Sequence, residues 1–137
     1  AFSDMTTQLA AAVRDLTDGR GVDVAYDGVG KATFDGSLDS VRTRGLLVLF
    51  GGASGQVPPF DPQRLNTAGS LFLTRPTVFH YIAERDELLR RAEAVFGAVT
   101  DGTLQVRIGA EYPLEQAARA HADLEGRRTT GKVLLAG

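Results

Sequence analysis

A chain of 137 residues with 43% hydrophobic and 23% charged side chains has the size and composition of a globular domain and excludes a disordered or fibrous protein. Fifteen Lys and Arg against seventeen Asp and Glu leave a net charge of −2. That balance supplies no field for nucleic acid or an anionic membrane, and no apolar run approaches the roughly 20 residues that span a bilayer.

Zero cysteines exclude disulfides, thiolate metal sites and a cysteine nucleophile within this chain, and only His80 and His121 remain as nitrogen ligands. A cysteine-free chain without a signal-peptide pattern at its start suits the reducing cytoplasm, which is the expected location. The chain begins at Ala1 and its single methionine is Met5, so it reads as an excised or trimmed segment.

Ser3 and Asp4 are capping residues, and Leu9, Ala10, Val13 and Leu16 follow at helical spacing, which predicts a first helix of about 14 residues ending at Asp18-Gly19. Val22 to Asp27 is a short apolar run stopped by Gly28-Val29-Gly30, and it predicts a strand buried on both faces. Lys31 to Val41 resumes the helical period through Phe34 and Leu38. Leu46 to Phe50 predicts a second strand, closed by Gly51-Gly52. Helix, strand, helix, strand with short connections is the pattern of a parallel sheet covered by helices.

The stretch from Gly51 to Pro62 is rich in glycine and proline and predicts a loop, stiffened at Pro58-Pro59. Ser70 to Thr74 predicts a third strand, ended before Pro76. A long amphipathic helix is expected over Glu84–Thr100, a short strand over Leu104–Ile108, a helix over Leu114–Leu124 and a final strand at Val133–Leu135.

Gly126 to Lys132 carries the spacing of a phosphate-binding P-loop but follows a helix and opens a strand, and Val133 stands where Ser or Thr is required. It reads as a basic turn, whose Arg127, Arg128 and Lys132 could still touch a phosphate of some other ligand as point charges. The glycine-rich ends of two consecutive strands, Gly28 to Gly30 and Gly51 to Gly55, are more informative. Open parallel sheets bind ligands at the carboxyl ends of their strands, where small residues let a flat ring or a pyrophosphate approach the backbone. The same glycines also serve tight strand-to-helix turns, so the two readings stand side by side. No Gly-x-Gly-x-x-Gly fingerprint occurs. Asp27 sits where it could serve as an acid or cap the next helix, and capping is the favoured reading. Ser54 is not a nucleophile elbow, since its flanking glycines do not match. His80 and His121 read as packed or solvated residues.

Val22-Asp23-Val24-Ala25-Tyr26-Asp27-Gly28-Val29-Gly30, then Gly45-Leu46-Leu47-Val48-Leu49-Phe50-Gly51-Gly52-Ala53-Ser54-Gly55, then Gly69-Ser70-Leu71-Phe72-Leu73-Thr74-Arg75-Pro76-Thr77, together resemble the NADPH:quinone oxidoreductases. These form the zinc-free, zeta-crystallin-like branch of the medium-chain dehydrogenase/reductase superfamily. Ala120 to Glu125 and Thr130 to Lys132 extend the resemblance to the end of the chain.

The resemblance implies an α/β fold: the second half of a Rossmann-like doubly wound parallel sheet over residues 1–76. Residues 77–137 are then a C-terminal α+β segment that packs on a GroES-like domain outside this chain. It implies NADPH as cofactor and hydride transfer to a quinone or enone, with two subunits joined through the Ser70 to Thr74 strand or another sheet edge.

By position, the cofactor-lining residues are Gly28, Val29 and Gly30 after one strand and Phe50, Gly51, Gly52 and Ala53 after the next. Leu73, Thr74 and Arg75 follow at the third strand, and Arg127 near the C-terminus. Many relatives carry serine where Gly28 stands and asparagine where Gly52 stands, each a lost hydrogen bond of about 1 kcal/mol net. No catalytic residue and no metal ligand is assigned. A related enoyl reductase, or an α/β interaction module without a dinucleotide, is the alternative.

Overall fold

The computed structural model describes the backbone of residues 2–137 and the side chains of residues 8–137. Ser3 and Asp4, expected as helix caps, lie outside the residues whose side chains are described. The chain divides into two compact units, Ala1–Tyr81 and Ile82–Gly137.

The first unit runs α1 (Phe2–Asp15), β1 (Val22–Asp27), α2 (Phe34–Ser40), β2 (Val41–Leu49), α3 (Gln63–Thr67), β3 (Phe72–Thr74) and α4 (Val78–Tyr81). Its strands form one parallel sheet in the order β1-β2-β3. Asp18 and Gly19 end the first helix in left-handed conformation, as a helix stop requires. The Arg14 guanidinium closes this junction by donating to the carbonyls of Gly19, Arg20, Asp39 and Val41. One side chain thereby ties the end of α1 to the start of β2.

Strand β2 begins at Val41, ahead of the expected start at Leu46. Val41 pairs with Val22, and the next pair is Leu46 with Val24, so residues 42 to 45 bulge out of the ladder. Arg44 adopts a φ of 59° there and its N–H donates to the Gly69 carbonyl at 2.8 Å. The α3 helix, which the glycine and proline content of its approach concealed, is a turn and a half that returns the chain to β3.

Phe34 and Leu38 of α2 pack with Val41, Leu47 and Leu49 of β2 and with Leu71 to form the core, with Val57, Phe60 and Leu65 against it. Helix α2 packs against both β1 and β2. Residues alternate across a strand, so Val24, Leu46 and Phe72 form one cross-strand row on the opposite face, and Tyr26, Val48 and Thr74 the next. Tyr26 is 74% and Phe72 64% exposed. The expectation that β1 is buried on both faces is therefore corrected: within this unit the core forms on the α2 side.

The second unit runs α5 (Arg85–Thr100), β4 (Ile108–Pro113), a 3-10 turn (Leu114–Gln116), α6 (Ala117–Glu125) and β5 (Lys132–Ala136). Strands β4 and β5 pair in parallel with α6 as the crossover. The strand expected over Leu104–Ile108 instead starts at Ile108 and runs to Pro113, because Pro113 occupies the strand terminus, where a missing N–H is tolerated. No helix among the described residues is long and apolar enough to cross a membrane.

Candidate functional site

The carboxyl ends of β1, β2 and β3 open side by side. The loop after β1 is built on Asp27, which is 3% exposed. Its carboxylate accepts the N–H groups of Val29 (2.8 Å) and Gly30 (3.0 Å) and the hydroxyls of Thr33 (2.8 Å) and Ser37 (2.9 Å). Burial pushes the Asp27 carboxyl up, but these hydrogen bonds from Gly30, Thr33, Val29 and Ser37 outweigh it and hold the pKa below the ordinary value. A carboxylate held charged by so many donors is a brace. Thr33 occupies the N-cap position without a side-chain capping hydrogen bond. Asp27 accepts from the loop amides ahead of the helix and from hydroxyls, not from the helix amides, which corrects the expectation that it caps the helix.

The loop after β2 packs on this braced loop. A Cβ at Gly51 would collide with the backbone of Gly28, and one at Gly30 would meet the Gly55 carbonyl oxygen at 2.8 Å and the Gly52 Cα at 3.0 Å. Both glycines are required by close approach of backbone to backbone, and Gly30 also by its φ of 86°. Hydrogen bonds join the same loops: Ala53 N–H to the Gly28 carbonyl (3.4 Å), Ser54 N–H to the Val29 carbonyl (2.8 Å) and Lys31 N–H to the Gly55 carbonyl (3.1 Å). Gly52 differs: the nearest atom to a Cβ there is the Gly55 oxygen at 3.5 Å, and among the described residues its N–H makes no hydrogen bond.

Arg75, following β3, donates to the Phe50 carbonyl at 2.9 Å and so ties the third strand end to the second. An open cleft of about 570 Å³ lies here. Gly51, Gly52, Leu73 and Arg75 line it together with Gln56 and the Pro58-Pro59 segment. Thr74 pairs with Val48 at the end of the sheet. The expected residues Gly28, Val29, Gly30, Phe50, Gly51, Gly52, Ala53, Leu73, Thr74 and Arg75 thus all lie on these three adjacent strand ends. Chemically, the arrangement offers unencumbered backbone, a free N–H and an apolar floor to a flat ring.

Arg127 belongs to the second unit, in a left-handed turn with φ 55°. Its neighbour Arg128 donates to Asp123 (2.7 Å) and to the Ala122 carbonyl (2.9 Å), and the Tyr112 hydroxyl donates to the other Asp123 oxygen at 2.8 Å. The Arg128 hydrogen bond, then that of Tyr112, holds the Asp123 carboxyl below its ordinary pKa despite some desolvation. The P-loop-like segment is a turn between α6 and β5, as its context predicts.

His80 and His121 are exposed, and among the described residues no group of three or more His, Cys, Asp or Glu side chains meets to hold a metal. The sequence reading missed the bracing role of Thr33 and Ser37 and passed over Ser54. The available signal was only a run of hydroxyl residues after a strand-terminal aspartate.

A family model described as zinc-binding dehydrogenase matches residues 2–135. The quinone oxidoreductase of Pseudomonas aeruginosa is 44% identical over 127 residues, 93% of this chain and 39% of that protein. A 2-haloacrylate reductase of Burkholderia sp. is 41% identical over 131 residues, 95% of this chain and 39% of that protein.

Among solved structures, a mycobacterial protein complexed with NADPH matches with a TM-score of 0.89 at 52% identity, covering 96% of this chain and 41% of that one. Escherichia coli quinone oxidoreductase complexed with NADPH matches with a TM-score of 0.88 at 40% identity, covering 94% of this chain and 40% of that one. The chain spans about two fifths of the length of these relatives. Matched over nearly its whole length and carrying three adjacent parallel strands of a Rossmann-like sheet, the chain belongs to the zinc-binding dehydrogenase family, among relatives of the quinone oxidoreductases.

Proposed function

We propose that this chain forms one wall of the dinucleotide cleft of an NADPH-dependent oxidoreductase that passes hydride to a quinone or a similar electron-poor double bond. The observation that carries the reading is the meeting of two glycine-rich loops and Arg75 at the carboxyl ends of three adjacent parallel strands, the place where open α/β sheets bind dinucleotides. Residues 1–76 are then the C-terminal half of the dinucleotide-binding domain. Residues 77–137 return to the substrate domain.

The residues present fit the cofactor. Bare backbone at Gly52 admits the nicotinamide end, and the free Gly52 N–H is a donor for it. Gly28, Val29 and Gly30 supply the neighbouring wall, Phe50 and Ala53 flank the glycines, and Leu73, Thr74 and Arg75 close the far side. NADPH, when bound, supplies the hydride. The chain's own part is to orient the ring against the apolar floor made by Leu49 and Leu73 and to exclude water there.

The similarity to a 2-haloacrylate reductase supports an activated alkene as the alternative acceptor, on the same scaffold as an enoyl reductase. We read the enzyme as a member of the zinc-free branch, which the strand-end motifs of this chain resemble, and as cytoplasmic. We also read it as a homodimer joined through the edge strand β3, whose outer side is unpaired within the sheet.

The test is titration of the full-length protein with NADPH, following nicotinamide fluorescence, and then oxidation of NADPH with 1,4-benzoquinone or 2-chloroacrylate. Saturable binding and turnover that resists a chelator are expected, with a dimer by light scattering. Absence of NADPH binding by the folded full-length protein overturns the reading.

A further inference from the structure

We infer that Ser54 is the positioning residue that locks the loop after β1 and the loop after β2 into one rigid body. The Ser54 hydroxyl donates to the Val29 carbonyl at 2.7 Å and accepts the Ala32 N–H at 2.9 Å. Its own N–H reaches the same Val29 carbonyl at 2.8 Å. One exposed side chain therefore holds both a donor and an acceptor of the opposite loop, across a sequence separation that no local turn explains.

The geometry around it packs the two loops against each other. Gly30 carries no Cβ because the Gly55 oxygen and the Gly52 Cα occupy its space, and Lys31 N–H bonds the Gly55 carbonyl at 3.1 Å. On the far side, the buried Asp27 carboxylate anchors Val29 and Gly30. The first loop is thus pinned from below by Asp27 and from the side by Ser54. Of the two side chains, Ser54 is the one that crosses to the loop bearing Gly51 and Gly52, beside the backbone bonds of Phe50 and Gly51 N–H to the Asp27 carbonyl.

The inference rests on the reading of these loops as the cofactor wall. Unlocking them lowers the fraction of molecules in the binding-competent arrangement, and apparent affinity falls by that fraction. Ground state and transition state lose equally, so KM for NADPH rises while kcat holds. An ordinary hydrogen bond corresponds to a change of about fivefold to tenfold.

The experiment compares the full-length wild type, Ser54→Ala and Ser54→Thr by NADPH titration, steady-state kinetics with 1,4-benzoquinone and amide hydrogen exchange. Ser54→Ala is expected to raise Kd and KM for NADPH about fivefold to tenfold with kcat within about twofold. It should also speed exchange at the amides of residues 29 to 32. Ser54→Thr, which keeps the hydroxyl, should restore both. Unchanged exchange at residues 29 to 32 in Ser54→Ala overturns the inference whether or not the protein binds NADPH, as does unchanged Kd in a wild type that binds it. A wild type that binds no NADPH overturns the functional reading instead, and faster exchange in Ser54→Ala would then still uphold the lock.

Discussion

The ring of Phe50 lies over the bare Cα of Gly28, so that a Cβ built on Gly28 would stand 2.8 Å from the ring's Cζ. Phe50 is 54% exposed, and its carbonyl is held by Arg75. The ring can swing although its backbone cannot. Gly28→Ser is therefore expected to fold and to displace the Phe50 ring toward solvent, at a cost of about 1 kcal/mol. The serine hydroxyl then becomes available to the cleft. A thermal unfolding curve and a crystal structure of the variant check this, and a ring left in place would contradict it.

Asp27 makes the stability of the β1 loop dependent on acid. Its folded pKa lies below the ordinary value, so its contribution is complete above the ordinary carboxylate range of about 4 and is lost as pH falls through the lower folded value. Asp27→Asn keeps the shape but not the charge that four donor residues address. We expect it to cost about 2 kcal/mol at neutral pH, with the difference from wild type shrinking below about pH 4. Denaturant midpoints of the full-length protein measured from pH 3 to pH 7 would show this; a gap that widens on acidification would refute it.

Two adjacent glycines should respond in opposite ways. Gly51→Ala drives a methyl group into the Gly28 backbone and is expected to cost about 1 to 3 kcal/mol by prying the loops apart. Gly52→Asn meets only ordinary contact distance and is expected to leave stability within about 0.5 kcal/mol. The added amide side chain should tighten NADPH binding by about fivefold, one ordinary hydrogen bond. Paired melting curves and NADPH titrations decide both.

In the second unit, the turn carrying Arg127 is fastened by Arg128 and Tyr112 to Asp123. Asp123→Asn weakens the Arg128 bond, and it weakens the hydrogen bond to the Tyr112 hydroxyl that, with burial and the Asp123 charge, raises the Tyr112 pKa. Amide exchange in residues 126 to 131 is expected to rise about threefold to tenfold. Tyr112 should also titrate at lower pH than in the wild type, readable by ultraviolet absorbance. Unaltered exchange would show that the turn is held by its backbone alone.

Much of this was legible in the residues themselves. The apolar run Val22 to Asp27 between glycines fixes a strand, because few other conformations bury such a run, and β1 has those limits. The helical period likewise found the long helix expected over Glu84–Thr100, which runs Arg85–Thr100. The glycine-rich strand ends marked the loops that meet at the carboxyl edge of the sheet.

Periodicity did not reveal the bulge at residues 42 to 45 or the strand end at Pro113, since both depend on which partner strand is in register. Nor did it reveal that the β1 face bearing Tyr26 lies uncovered in this unit. Local sequence reports how apolar a residue is, whereas burial depends on which elements arrive on each side of the sheet.

The same division holds for the site. Sequence alone determined that small residues stand at the ends of consecutive strands, because glycine is the residue that turns and close approaches demand. Only the tertiary structure decided why each is there. Gly30 and Gly51 yield space to the opposing loop, Gly28 yields it to Phe50, and Gly52 alone among them keeps a free N–H and room for a side chain among the described residues. Those roles arise from atoms more than twenty residues apart along the chain, brought within van der Waals distance by parallel pairing of β1 with β2.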